Sequence, residues 1–127
     1  MEDLRLSDPD EPAWTNITEV KGLTGGAKLS DLQRFGRYAG LFLRRTGEFP
    51  KSRWYLVNQF LGADPDTRPP PLVGAEDDVQ VFAEDGGLVI DTRELFQLVR
   101  AVEQGRIDQA AARRLLRSST GVFQFDG

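Results

Sequence analysis

The stretch Thr18-Glu-Val-Lys-Gly-Leu-Thr-Gly-Gly-Ala-Lys-Leu-Ser-Asp-Leu-Gln33 holds the residues best suited to chemistry. Two chemistries compete for it: glycines that cradle a phosphate, or a carboxylate and a lysine that serve a metal ion. The phosphate-loop pattern G-x-x-x-x-G-K-[ST], started at Gly22, requires glycine at position 27 and serine or threonine at 29. Ala27 and Leu29 stand there instead, and only Lys28 fits. Gly25 and Gly26 then read as a flexible or positive-φ connector from a strand to a helix, leaving at most a weak phosphate contact at the helix start. Glu19 and Lys21 suit metal chemistry better. Strand residues two apart share a face, so both side chains project together, and the Val20 carbonyl between them is a further oxygen ligand.

Composition narrows the chemistry. The 127-residue chain contains neither His nor Cys. Ser-His-Asp triads, Cys nucleophiles, zinc clusters and disulfides are therefore excluded within it. Carboxylates, lysine and oxygen ligands remain, an inventory suited to Mg²⁺ or Mn²⁺. A second carboxylate must then come from the neighbouring strand. Asp3 is the best placed, because Asp3-Leu-Arg-Leu6 alternates polar and apolar residues and the turn-rich Ser7–Pro12 segment folds it back toward Glu19. Asp8 and Asp10 lie in the turn itself and are less suited.

These residues need elements to position them. Residues 2–7 and Trp14–Lys21 are expected to form paired strands around an exposed hairpin loop. From Ser30 to about Arg45 the apolar spacing predicts a helix, with Ser30 and Gln33 as a capping box and Gly47 as the stop. Gly36 and Gly40 are expected to allow close packing of that helix. Arg53–Asn58 predicts a buried strand, and Gly62–Pro71 a loop. Val79–Ala83 reads either as a strand or as a helix beginning near Glu76. Leu88–Ile90 predicts a strand after the Asp85–Gly87 turn. Helices are predicted from Asp91 or Thr92 to Glu103 and from Asp108 to about Ser118, the latter with Arg113, Arg114 and Arg117 outward. Gly121–Phe125 is a closing strand or a tail. The pattern is that of one α/β domain, residues 1–127, with a mixed β-sheet flanked by helices.

A content of 39% hydrophobic and 28% charged residues is that of a globular protein. No apolar run approaches the ~20 residues of a membrane span, and the acidic start lacks a secretory signal pattern, so the expected location is the cytoplasm with no membrane partner. The net charge of −4 conceals segregation: residues 22–57 carry seven bases against two acids, and residues 58–91 eight acids against one base. Arg34, Arg37 and Lys28 belong to the basic segment, which reads either as an ordinary solvated face or as a surface for contacts to nucleic-acid phosphates.

In this order, Asp3, the Glu19-Val-Lys21-Gly22 strand end, Gln33 on the next helix, the strand ending at Asn58 and the Asp64–Arg68 loop resemble the PD-(D/E)xK nuclease superfamily. The resemblance covers roughly residues 2–68. It implies a restriction-endonuclease-like core in residues 1–68, with strands and accessory helices in 69–127. It further implies hydrolysis of DNA phosphodiester bonds. Asp3, Glu19 and Val20 would hold Mg²⁺ (or Mn²⁺), Lys21 would orient or activate the attacking water, and Gln33 would join the catalytic set. The alternative is a catalytically inactive relative that binds nucleic acid or protein. The superfamily core carries a helix and a strand ahead of its metal-binding Asp, so a homodimer or a larger protein is expected to supply what precedes Asp3. Tyr38 follows Gln33 by five residues, where helicase-associated exonucleases of the superfamily have a spacing of four.

Overall fold

The computed structural model describes residues 3–126. Four strands, β1 (Asn16–Gly22), β2 (Ser52–Asn58), β3 (Gly87–Asp91) and β4 (Gly121–Val122), lie side by side in chain order, and every pair is parallel. Four helices connect them: α1 (Leu29–Thr46), α2 (Glu76–Glu84), α3 (Thr92–Glu103) and α4 (Gln109–Ser118). The protein is thus an α/β fold with a four-stranded parallel sheet. Among the described residues no helix is long and apolar enough to cross a membrane.

Strand alternation sorts the side chains into two cores. Ile17, Tyr55, Val57 and Val89 pack on one face against Phe35, Tyr38 and Phe42 of α1 and Val79 and Phe82 of α2. Leu88 and Ile90 pack on the other face against Leu98 of α3 and Ala112 of α4. Both faces are covered, which explains why β3 is buried at all five positions and reads as an unbroken apolar run. Asp91 caps α3 by accepting the Arg93 N–H at 3.0 Å, and Asp108 caps α4 by accepting the Ala111 N–H at 2.7 Å.

Several expectations need correction. The mixed sheet is parallel throughout its named strands. Its antiparallel component reduces to one bridge, Leu4 to Thr18, because the chain leaves the β1 edge after Leu4; the expected strand's Glu2 lies outside the described residues. The Ser7–Pro12 segment is exposed except at Asp8, which is 5% exposed and ion-paired to Arg113 and Arg117, so those two arginines do not project freely outward. Of the two readings of Val79–Ala83, the structure has the helix that begins at Glu76, where three acids in the first turn favour it. α1 begins at Leu29 with Lys28 at its cap and no side-chain capping bond, so Ser30 and Gln33 form no capping box. Gly36 and Gly40 face open space rather than a packed neighbour. Gly25 and Gly26 are not among the positive-φ glycines; a Cβ on Gly26 would lie 3.1 Å from the Phe60 ring, so close approach explains that glycine.

Gly86 turns the chain from α2 into β3 at φ +82°, and a Cβ there would fall 2.4 Å from the Lys51 carbonyl oxygen. Left-handed backbone and backbone overlap both oppose a side chain. Gly86→Ala should therefore destabilise the protein by about 2 kcal/mol or more, read as a lower denaturant midpoint at unchanged slope.

Candidate functional site

The site is built on β1. Its odd-numbered residues face α1, and the parallel register sets Glu19 beside Tyr55 and Lys21 beside Val57. Glu19 is consequently carried beneath the helix and is 5% exposed. Lys21 lies nearer the strand's end, where its side chain is 31% exposed and its Nζ is 3.6 Å from Glu19 Oε1. One acid is thus buried while its partner lysine reaches the opening.

Asp3 arrives from outside the sheet. Leu4 exchanges both backbone hydrogen bonds with Thr18, donating at 3.0 Å and accepting at 2.9 Å, and the Val20 N–H donates to Asp3 Oδ2 at 2.8 Å. In a strand the N–H and C=O of one residue point to the same side, so the Val20 carbonyl also faces this outer edge. Asp3 therefore lies beside Glu19 and Val20, and Lys21 beside Glu19.

The electrostatics reflect the crowding. Burial raises the Glu19 pKa above the ordinary carboxylate range, and the neighbouring Asp3 carboxyl raises it further; Lys21 opposes both. Glu19 Oε2 is buried without a hydrogen-bond partner among the described residues. Tyr38, from α1, completes this wall: burial and the Glu19 charge raise its pKa, while Arg34 acts in the opposite sense.

A second polar pair lies alongside. The Tyr55 hydroxyl donates to Asp31 Oδ2 at 2.7 Å and accepts the Lys28 N–H at 3.3 Å. Burial, followed by the hydrogen bond to Asp31, pushes the Tyr55 pKa up. Asp31 also pairs with Arg34 at 3.5 Å. Sequence reasoning missed Tyr38, Tyr55 and Asp31 as site residues. The signal for Asp31 was present: it lies four residues before Phe35 and seven before Tyr38, at the spacing of the buried stripe, where an acid demands a partner.

The remaining residues lie elsewhere. Gln33 lines a cleft of about 230 Å³ between α1 and α2, with Gly36, Arg53 and Asp78 among its neighbours. Lys28, Arg34 and Arg37 are exposed along α1 and its entry. Two amides at the end of the glycine loop are already engaged within the protein: Ala27 N–H donates to Gln59 Oε1 at 2.8 Å and Lys28 N–H to the Tyr55 hydroxyl at 3.3 Å.

The donor set fits a hard divalent cation. The Asp3 and Glu19 carboxyls are neighbours at the β1 edge, Glu19 Oε2 has no hydrogen-bond partner among the described residues, and Mg²⁺ characteristically completes an oxygen set of this kind with water. No cluster of three or more His, Cys, Asp or Glu side chains with metal-binding placement occurs among the described residues, so the carbonyl and water would provide the remaining ligands.

No protein-family model matches the chain, and no curated protein or solved structure shows significant similarity to it.

The raised Glu19 pKa has a thermodynamic consequence. A carboxyl whose folded pKa lies above its unfolded value loses stability as pH rises from the unfolded value through the folded one. Glu19→Gln should therefore raise Tm at neutral pH in metal-free buffer. The gain should vanish below the ordinary carboxylate range, and thermal denaturation across pH measures both.

Proposed function

We propose that the chain is a Mg²⁺-dependent phosphodiesterase acting on DNA, with Asp3, Glu19 and Lys21 as its working residues and a restriction-endonuclease-like ancestry. The observation that carries this reading is the hydrogen bond from Val20 N–H to Asp3 Oδ2. It docks a second carboxylate against a buried one, beside a lysine, in a chain without histidine or cysteine. That combination is costly for a merely structural site.

Asp3, Glu19 and the Val20 carbonyl would hold the cation. A divalent ion in this position supplies an electrophile for the phosphoryl oxygen and acidifies water. Lys21 does the rest of the local work: its ammonium, tethered by Glu19 and open to solvent, orients the attacking water and offsets charge that grows on the phosphoryl oxygens. Buried Glu19, 3.6 Å away, holds the lysine aimed at the opening. Gln33, placed in the α1/α2 cleft, belongs to the substrate path in this reading rather than to the cation.

Substrate recognition falls to the helix that covers the site. Lys28, Arg34 and Arg37 present exposed cations along α1, and the open side at Gly36 and Gly40 lets a phosphate backbone approach the helix closely. Such contacts give salt-dependent affinity independent of sequence.

Wild-type protein should cleave DNA in Mg²⁺ and lose that activity with chelator. Lys21→Ala should reduce the rate at least about 10²-fold without loss of DNA binding. The assay follows single- and double-stranded substrates by gel. Equal cleavage by wild type and Lys21→Ala would sink the assignment, as would a metal-independent wild-type rate.

A further inference from the structure

Arg113 and Arg117 stand four residues apart on α4, the spacing that places two side chains on one helical face. Both guanidinium groups converge on Asp8, more than a hundred residues earlier. Arg113 Nε lies 3.3 Å from Asp8 Oδ1, Arg117 donates to Asp8 Oδ2, and Arg113 Nη2 holds Asp10 at 2.7 Å. Asp8 also closes its own turn by accepting the Asp10 N–H at 2.9 Å. The Asp8 carboxylate is buried and doubly paired, whereas Arg114, between the two arginines, remains exposed.

The segment just upstream is held far less firmly. Asp3 is exposed and Leu4 is 47% exposed, so little apolar burial keeps them in place. Among the described residues they meet the sheet through the Leu4–Thr18 bridge, the Asp3–Val20 bond and the Asp3 contact with Glu19. An isolated edge pairing this short is marginal in water. Four residues separate Asp3 from Asp8, so fixing Asp8 on α4 confines Asp3 to a small volume at the β1 edge and raises its effective concentration there. The Arg5 guanidinium, 5.2 Å from the Phe42 ring centroid, steadies the path between the two points.

We propose that Arg117, assisted by Arg113, is a positioning residue: through Asp8 it holds the Asp3–Leu4 segment on the outer edge of β1 and so delivers the Asp3 carboxylate to Glu19. This assignment rests on the reading of Asp3 and Glu19 as the working carboxylates. It makes α4, on the opposite face of the sheet from α1, part of the machinery that assembles the site.

Amide hydrogen exchange reads the tether directly. In Arg117→Ala the Val20, Leu4 and Thr18 amides should exchange about tenfold faster or more, while amides of the β2/β3 ladder keep their protection. Arg117→Lys, which retains the charge, should restore most of the protection. The ladder amides also show whether Arg117→Ala is folded; if they too exchange rapidly, Arg113→Ala, which leaves Arg117 on Asp8, replaces it and should give a smaller but still local acceleration. Mg²⁺-dependent cleavage supplies the second readout. Arg117→Ala should fall to the level of Asp3→Asn, and the double variant should fall no further. Unchanged exchange at Val20 and Leu4 overturns the tether whatever the activity, and so does an additive loss in the double variant. A wild type that cleaves nothing overturns the nuclease reading instead, and the exchange experiment then decides the tether alone.

Discussion

A carboxylate buried beside a second carboxylate is the constraint around which this chain is organised. Glu19 loses hydration under α1 and faces the Asp3 carboxyl at the sheet edge, and both effects disfavour its charge. A fold that only needed to pack β1 against α1 would place an apolar residue there, as it does at Ile17 two residues earlier. Retaining the pair destabilises the protein locally, and the surrounding elements bear that cost through rigidity. Tyr55 in register, Tyr38 overhead and Lys21 at the mouth leave Glu19 few directions in which to turn.

Rigidity beyond the site comes from polar side chains that tie loops together. Gln59, 2% exposed, accepts from Ala27 N–H at 2.8 Å and donates to the Pro69 carbonyl at 2.7 Å, joining the glycine loop to the proline-rich loop. Arg93 is held by Asp91 at 2.6 Å and donates to the carbonyls of Pro65, Arg68 and Pro69. The loop after β2 therefore closes over the carboxyl ends of the strands, where parallel α/β sheets present their ligands. Satisfied networks of this kind fix the supporting shell of a site more strictly than apolar packing does.

Much of this was legible in the sequence because it is local. The Asp91 and Asp108 caps, the Gly47 stop and the apolar stripe of α1 follow from short-range rules. Strand alternation placed Glu19 and Lys21 on one face, where their side chains do meet. The misses share a cause in long-range pairing. Asp8 looks like a turn residue until Arg113 and Arg117 are brought to it, and the expected N-terminal strand is reduced to the Leu4–Thr18 bridge. Ser30 and Gln33 carry a capping pattern, but the Lys28 N–H bond to Tyr55 marks a helix that begins one residue sooner. Tyr55 and Asp31 became a pair only once β2 was laid beside β1 under α1.

The central claim is that Asp3, Glu19 and the Val20 carbonyl form one divalent-cation site. Anomalous diffraction from crystals soaked in Mn²⁺ tests it most directly, since the ion is located without reference to activity. A single strong peak is expected at the β1 edge, within ligand distance of both carboxylates and the Val20 carbonyl. A peak bound elsewhere with this edge empty, or one lost on Lys21→Ala but retained on Glu19→Gln, would contradict it.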